Sequence, residues 1–215
     1  MIEFDERGLV PVVVQDELTG EVRMVAYANR EAIDRTLATK RATFFSRSRG
    51  ELWEKGKTSG NSIDVSRVLV DCDADCLIYV GKPRGPSCHT GARSCFFTDE
   101  EGKPAAAGPF MERLEATLEA RKTSTGEASY TKSLYEKGAG AIGDKVREEA
   151  DELARAIAGE SDDRVAQEAG DLVFHLMVAL RARGVPWRTV LSVLEGRMGQ
   201  SGHAEKASRS KPSGV

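Results

Sequence analysis

The segment EEGKPAAAGP at residues 100–109 decides how the chain is organised, because the residue pattern differs on its two sides. It combines two glycines, two prolines and three consecutive alanines. Such small and turn-forming residues favour a connection over the interior of a helix or strand. The sequence therefore predicts two domains, residues 1–103 and 109–215, joined by a linker at 104–108.

The residues before this segment have the pattern of strands and turns. Residues 9–14 (LVPVVV) are rich in β-branched side chains, and residues 21–27 (EVRMVAY) alternate with Val22 and Met24 on one face, so the two predict a hairpin. Asn29 is a candidate N-cap for a short helix over Arg30–Thr39. Further strands are predicted at residues 43–46, 66–72 and 76–80. This half is predicted to be a β-rich α+β domain.

The residues after the segment have the pattern of helices. Residues 110–121 carry apolar side chains at helical spacing, and from Ile142 onward an apolar face recurs with the same period. Residues 165–180 and 187–198 predict two more helices, the last ended by Gly199. We expect an all-α helical bundle with a frayed tail from about residue 200.

Composition sets broad limits on function. The net charge of −3 and the pI of about 5.8 give no reason to expect nucleic-acid or membrane partners. The N-terminus MIEFDERGLV lacks the pattern of a secretory signal, and no apolar run approaches the roughly 20 residues that span a bilayer. Four cysteines without a signal for export favour reduced thiols or metal ligands over disulfides. We therefore expect a cytoplasmic location.

Residues 71–95 contain all four cysteines of the chain. The spacing of Cys72, Cys88 and Cys95 differs from a structural zinc finger, and three thiolates with an open fourth position would suit a catalytic zinc. Such a metal lowers the pKa of a bound water to roughly 7. Alternatively, Cys72 and Cys76 are buried small apolar residues of a strand.

Three aspartates alternate in the same segment, at Asp71, Asp73 and Asp75. In an extended strand they would share one face, where their mutual repulsion favours a cation such as Mg²⁺. A solvated acidic loop is the alternative. His89 directly follows Cys88 and is a candidate acid–base residue, although a single histidine is often structural.

Two polar segments precede the aspartates, SRSR at residues 46–49 and WEKGKTSGN at 53–61. Arginine binds phosphate through two donors, and glycine-rich turns bring backbone N–H groups close to an anion. Trp53 could stack on a base or belong to the core. The candidate substrate-binding residues are Arg47, Arg49, Trp53, Lys55, Thr58 and Ser59.

Together with DCDADC and GPSCHTGARSCFF, these segments resemble the phosphoribosyl-AMP cyclohydrolases over about residues 1–103. The resemblance implies a dimer-forming hydrolase that opens the adenine ring at its N1–C6 bond. It implies zinc on Cys72, Cys88 and Cys95 in a site shared between the two subunits of a homodimer. It also implies magnesium on Asp71, Asp73 and Asp75, an acid–base role for His89, and only packing for Cys76.

The helical half carries a second set of carboxylates, Glu149-x2-Glu152 and Glu168-x2-Asp171. Residues three apart share a helix face, so two antiparallel helices would bring the four together, and such a cluster needs cations such as Mg²⁺. Solvent-facing charged stripes are the alternative, but the strongly apolar run after Glu168 favours burial. Lys145 is a candidate phosphate ligand. His175, one turn after Asp171, is assigned to core packing.

SYTKSLYEKG, KVREEADELARA and EAGDLVFHLMVAL resemble the MazG-like superfamily, and more narrowly the phosphoribosyl-ATP pyrophosphohydrolases over about residues 109–209. The resemblance implies that Glu149, Glu152, Glu168 and Asp171 hold magnesium, which bridges the substrate phosphates and polarises a water. Arg147 stands where the family often has glycine, which affects local packing or phosphate contacts.

The two resemblances belong to consecutive steps of histidine biosynthesis. They imply a bifunctional hydrolase that binds ATP-derived nucleotides, phosphoribosyl-ATP in the C-terminal domain and phosphoribosyl-AMP in the N-terminal one. One alternative is that only the cyclohydrolase is active and the helical domain is structural. Another is a non-catalytic metal- or nucleotide-binding module.

Overall fold

The computed structural model describes residues 2–105, 108–123 and 129–198. The chain divides into two compact units, Met1–Pro109 and Phe110–Val215. The first residues of the predicted linker pair with the first unit, because Pro104 bridges Thr98 and the Ala105 N–H donates to the Phe97 carbonyl (3.0 Å). The predicted Gly199 cap and the tail from about residue 200 lie outside the described residues.

The first unit is a six-stranded sheet with one helix, as predicted for a β-rich α+β domain. Its strands lie in the order β4-β3-β2-β1-β6-β5, and every pairing is antiparallel except β1 with β6. The elements are β1 (Val10–Asp16), β2 (Val22–Ala28), α1 (Arg30–Thr39), β3 (Thr43–Ser46), β4 (Glu51–Glu54), β5 (Ile63–Val70) and β6 (Leu77–Pro83).

The core of this unit follows from the period of its strands. Alternate residues of β1, including Val10, Val12 and Val14, are fully buried and pack with Phe44 and Tyr79. Burying large apolar side chains contributes about 1.5–3 kcal/mol each, so these residues are a main source of stability. The predicted N-cap of α1 is confirmed, because the Asn29 side chain accepts the Ala32 N–H at 2.9 Å.

The segment at residues 71–76 is a turn between β5 and β6, so the predicted extended strand there was wrong. The Asp71 carboxylate accepts the Cys76 N–H (3.0 Å), and Ala74 adopts a positive φ of 67°. This local hydrogen bond replaces the ladder, as aspartate side chains do in turns. The three aspartates therefore project from a loop and not from one face of a strand.

The second unit consists of four helices, as predicted for an all-α domain. They are α2 (Phe110–Thr123), α3 (Tyr130–Gly159), α4 (Asp162–Ala182) and α5 (Trp187–Arg197). Leu118, Leu134, Ile142, Met177 and Val178 form its core. Among the helices of residues 2–105, 108–123 and 129–198, none has the length and apolar character that crossing a membrane requires.

Helix α3 begins twelve residues earlier than the apolar period at Ile142 predicts. Gly138 breaks it into two helical segments with φ 81° and ψ −174°, a conformation that glycine adopts at little cost. The short connection after Gly159 makes α3 and α4 antiparallel neighbours. Ser161 caps α4, accepting the Arg164 N–H at 3.4 Å.

Candidate functional sites

A cavity of about 510 Å³ in the first unit gathers most of its predicted site residues. Cys88, His89 and Cys95 come from the segment after β6, while the other side belongs to β4 and the loop that follows it. The predicted residues on that side are Trp53, Lys55, Thr58 and Ser59. Two thiols, an imidazole, an amine and two hydroxyls thus face one space.

The two thiols of the cavity differ in their electrostatics. The Thr90 hydroxyl donates to Cys88 Sγ at 3.1 Å, and this hydrogen bond lowers the pKa of Cys88. Burial raises the pKa of Cys95, and the neighbouring Cys88 raises it further. The pair therefore accommodates one thiolate readily, and a second thiolate needs a positive partner. A cation bound between them would supply that charge.

Lys55 is the amine nearest this pair. Burial lowers the pKa of Lys55, and the charges of Cys95 and Cys88 oppose that effect. Its ammonium donates to the Asn61 carbonyl at 3.0 Å, which ties it to the loop after β4. Lys55 therefore lies in the cavity wall, close enough to both thiols for their charges to affect it.

Cys72 lies apart from the other two predicted zinc ligands. It is exposed on the turn at residues 71–76, and within the described part of this single chain it does not line the cavity. On the same turn, Asp71, Asp73 and Asp75 bring one carboxylate oxygen each within 4.8 Å of the others. The charge of Asp73 raises the pKa of Asp75, as expected for crowded carboxylates without a cation.

The two predicted arginines occupy other positions. Arg47 stacks its guanidinium over the Tyr27 ring at 3.9 Å from the centroid, and Arg49 pairs with Glu51 at 2.9 Å. Among the described residues that line the cavity neither arginine occurs. Their role in substrate binding stays a prediction.

Sequence reasoning missed a buried charged network under the thiols. Arg23 is 4% exposed and donates to Glu21 (2.7 Å), to Ser87 (3.2 Å) and to the Gly85 carbonyl (3.2 Å). Its own carbonyl accepts the Cys95 N–H at 2.9 Å. Arg23 therefore connects β2 to the residues just before Cys88 and to Cys95 itself.

A bulge in β2 explains why the alternation misplaced this residue. Val14 pairs with Met24 while Gln15 pairs with Val22, so Arg23 is the extra residue between them. A bulge changes which face the following side chains occupy. The prediction that Val22 shares the buried face with Met24 was wrong, since Val22 is 38% exposed.

The loop that forms one wall of the cavity depends on a glycine, and substituting it gives a test. Gly56 has φ +87°, and a Cβ there would lie 2.4 Å from the Ser62 amide nitrogen. Gly56→Ala should lower the free energy of unfolding by clearly more than the roughly 1–2 kcal/mol that a positive φ alone costs. Urea unfolding followed by Trp53 fluorescence, in a Trp187→Phe background, measures this in the first unit.

Gly60→Ala is the matched control in the same loop. Gly60 also has a positive φ (+77°), but a Cβ there would meet no atom within 4 Å. It should lose only the backbone cost. Equal losses in the two variants would contradict the close approach of the Gly56 backbone to Ser62.

The second unit brings three of its four predicted carboxylates together. Glu149 and Glu152 of α3 and Glu168 of α4 each offer one oxygen within 4.8 Å of the others, a geometry that could hold a metal ion. Glu149 and Glu168 are 5% and 3% exposed, so solvent-facing stripes do not describe them. Burial raises the pKa of Glu168, and the charges of Glu152 and Asp171 add to the rise. Asp171 is exposed at the edge of this cluster.

Basic side chains border the cluster. Lys145 Nζ lies 2.9 Å from Glu149 Oε1 and 2.8 Å from Glu148, and these hydrogen bonds raise the pKa of Lys145. The Arg164 guanidinium pairs with Glu168. Arg147 instead pairs with Asp144 on the exposed side of α3. Lys145 therefore borders the carboxylate cluster, and its role as a phosphate ligand stays a prediction.

Comparisons with known proteins assign both units. The family model for phosphoribosyl-AMP cyclohydrolase matches residues 24–97, and the model for phosphoribosyl-ATP pyrophosphohydrolase matches residues 111–198. The chain is similar to the histidine biosynthesis bifunctional proteins HisIE of Thermus thermophilus (45% identity, 86% of both chains) and Deinococcus radiodurans (43%, 94% of both). The Bacillus subtilis protein of the same name is 42% identical over 91% of this chain and 94% of its own. Both resemblances seen in the sequence are thus confirmed, and the chain belongs to the family of bifunctional histidine biosynthesis proteins that join a phosphoribosyl-AMP cyclohydrolase to a phosphoribosyl-ATP pyrophosphohydrolase.

Proposed function

We propose that the two units catalyse consecutive hydrolyses on one nucleotide. The C-terminal unit converts phosphoribosyl-ATP to phosphoribosyl-AMP and pyrophosphate, and the N-terminal unit then hydrolyses the N1–C6 bond of the adenine ring. The observation that carries this proposal is that each unit has its own cluster of metal-binding side chains, thiols in the first and carboxylates in the second. The chain therefore carries candidate metal-binding side chains for both hydrolase activities of the family.

For the N-terminal unit, we propose a zinc site made of Cys88 and Cys95 of one chain and Cys72 of a second copy. The opposed pKa shifts of Cys88 and Cys95 support a cation between them. The separation of Cys72 from the cavity supports a ligand donated by another chain, and hence a homodimer. Zinc bound there would lower the pKa of a water molecule.

Ring opening adds the oxygen of water to C6 and breaks the C6–N1 bond, so a proton must reach N1. His89 lines the cavity, and an imidazole can both accept and donate a proton, which suits it to take a proton from the water and deliver it to N1. Lys55, Thr58 and Ser59 supply donors for a phosphate from the facing wall. Trp53 is half-buried against Phe44, with ring centroids 4.8 Å apart.

The turn at residues 71–76 is proposed as a magnesium site of the same unit. Asp71, Asp73 and Asp75 offer hard oxygen ligands within reach of one ion, and their crowding is relieved by a cation. Cys72 lies in this turn, so a bound ion would also fix the loop that carries it.

In the C-terminal unit, we assign magnesium to Glu149, Glu152, Glu168 and Asp171. Buried carboxylates of like charge are costly unless a cation neutralises them. Magnesium bound there would supply positive charge for the substrate phosphates and would polarise a water. Lys145, at the rim, is placed to contact the phosphates and to stabilise the charge of the leaving pyrophosphate.

The proposed zinc thiols also bear on location. Thiols that hold a metal must stay reduced, which supports a cytoplasmic enzyme. The substrates are small nucleotides, phosphoribosyl-ATP and phosphoribosyl-AMP.

The test is to supply phosphoribosyl-ATP with Mg²⁺ to zinc-loaded protein and to follow pyrophosphate and the ring-opened nucleotide together. We expect one ring-opened product for each pyrophosphate, with phosphoribosyl-AMP as a transient. Ring opening only from added phosphoribosyl-AMP would mean that the helical unit is structural. Binding without any turnover would instead indicate a non-catalytic module.

A further inference from the structure

A histidine that sequence reasoning assigned to packing makes three polar contacts beside the carboxylate cluster. His175 of α4 is 5% exposed. Its Nδ1 lies 2.9 Å from the Asp171 carbonyl oxygen and 3.6 Å from Glu149 Oε1. Its Nε2 lies 3.1 Å from the hydroxyl of Tyr130, the first residue of α3. The imidazole therefore connects the first residue of α3, and Glu149 farther along the same helix, to the turn of α4 that carries Asp171.

These contacts fix the orientation of the ring and show which nitrogen carries hydrogen. A carbonyl oxygen only accepts hydrogen bonds, so the nitrogen facing Asp171 is the one that carries hydrogen. The opposite nitrogen then accepts the hydrogen bond of the Tyr130 hydroxyl. The ring of Phe174 packs edge-on against the imidazole and limits its rotation.

The donor side of the ring faces one particular oxygen of Glu149. The Lys145 ammonium bonds the same oxygen, Oε1, at 2.9 Å. Lys145 bonds Oε1 and the Nδ1 edge of His175 borders it, so the second oxygen of Glu149 is the one left to take a cation. Side chains that orient a ligating carboxylate in this way commonly change metal affinity by about 10–100-fold when removed.

We propose that His175, held in its tautomer by the Asp171 carbonyl and in its orientation by Tyr130, is a positioning residue that turns Glu149 toward the metal and steadies the Asp171 turn. This inference rests on the magnesium site proposed for the same unit. Simple packing would require only the shape of the imidazole. Positioning requires an N–H at the Nδ1 place.

The experiment measures the binding of Mn²⁺, a paramagnetic substitute for Mg²⁺, to the full zinc-loaded chain. The electron paramagnetic resonance signal of free Mn²⁺ gives the fraction that is not bound. All arms carry Asp73→Asn and Asp75→Asn, which removes two of the three carboxylates of the N-terminal turn. Glu168→Gln in this background identifies the Mn²⁺ bound at the helical cluster. His175→Leu should weaken that binding by about 10–100-fold.

The conservative pair His175→Asn and His175→Gln separates positioning from packing. The asparagine amide can place an N–H near the Nδ1 position, so it should restore most of the Mn²⁺ affinity. The glutamine amide reaches the Nε2 position instead and should not. Tyr130→Phe should weaken binding less than His175→Leu, because it frees the ring without removing the donor.

Two results would overturn the role. The first is an unchanged Mn²⁺ affinity in His175→Leu. The second is that His175→Asn and His175→Gln lose the same Mn²⁺ affinity, in proportion to their loss of stability. If Glu168→Gln leaves the Mn²⁺ binding of the parent protein unchanged, the assignment of the metal site itself is wrong. That outcome is separate from the role of His175. Should His175→Leu fail to fold, the asparagine and glutamine comparison decides.

Discussion

Replacing Cys95 with serine should abolish opening of the purine ring and leave pyrophosphate release unchanged. Serine removes a soft ligand from the proposed zinc site, whereas the carboxylate cluster lies in the other unit. Loss of a ligand should cost more than the roughly 100-fold seen when only a neighbour of a ligand is removed. Assays with phosphoribosyl-AMP and phosphoribosyl-ATP as separate substrates measure the two effects.

Cys76→Ser is the matched control. Cys76 is a free, half-buried thiol on the same turn as Cys72. It is not among the described residues that line the cavity. Its replacement should leave both reactions near their original rates. Ring opening that survives in Cys95→Ser but not in Cys76→Ser would contradict the assignment of the ligands.

The shared zinc site makes a further quantitative prediction for mixed subunits. Cys72→Ser and Cys95→Ser should each be inactive in ring opening, but a mixed dimer contains one complete site, with Cys72 from one chain and Cys88 and Cys95 from the other. If subunits exchange at random, an equal mixture should regain about a quarter of the wild-type rate. No recovery after verified exchange would show that each site belongs to one chain.

Glu168→Gln should abolish pyrophosphate release and spare the opening of added phosphoribosyl-AMP. Glutamine keeps the shape of the side chain and removes the charge that a cation would bind, so a loss above about 100-fold is expected. Because burial raises the pKa of Glu168, the neutral side chain should not lower the stability of the metal-free protein. Thermal unfolding in a chelator checks this second expectation.

Asp151→Asn is the control for that substitution, since Asp151 is an exposed residue of α3 between Glu149 and Glu152. It should leave pyrophosphate release within a few-fold of wild type. If Cys95→Ser and Glu168→Gln each abolished both reactions in folded protein, the model of two separate sites would be wrong.

The parts of the fold that the sequence predicted are those where local pattern and tertiary packing agree. The alternation of Val10, Val12 and Val14 predicted a strand with one buried face, and Asn29 predicted the start of α1. The sequence did not reveal β4, because Glu51–Glu54 has only two apolar residues between charges and is held by pairing with β3. Tertiary pairing of this kind leaves little trace in a short segment.

The candidate sites divide in the same way. Motif spacing identified Cys88, Cys95, Glu149 and Glu168, because their chemistry needs particular residue types. Arg23 could not be identified in this way, because a charged residue in an alternating strand is expected to face solvent. The bulge is what places its side chain in the interior. Cys72 lies outside the cavity, and the second chain that we propose for it cannot be described by spacing along one sequence.

The short connection between α3 and α4 has a consequence for the order in which the two sites assemble. The four predicted carboxylates lie close together along the chain, and one helical hairpin brings three of them within reach of one another. The thiol cavity needs β1 to pair in parallel with the distant β6, and its third proposed ligand must arrive from another chain. Contacts between residues near in sequence form faster than distant ones. During folding, the site for the first reaction should therefore mature before the site for the second, and only the second should depend on protein concentration.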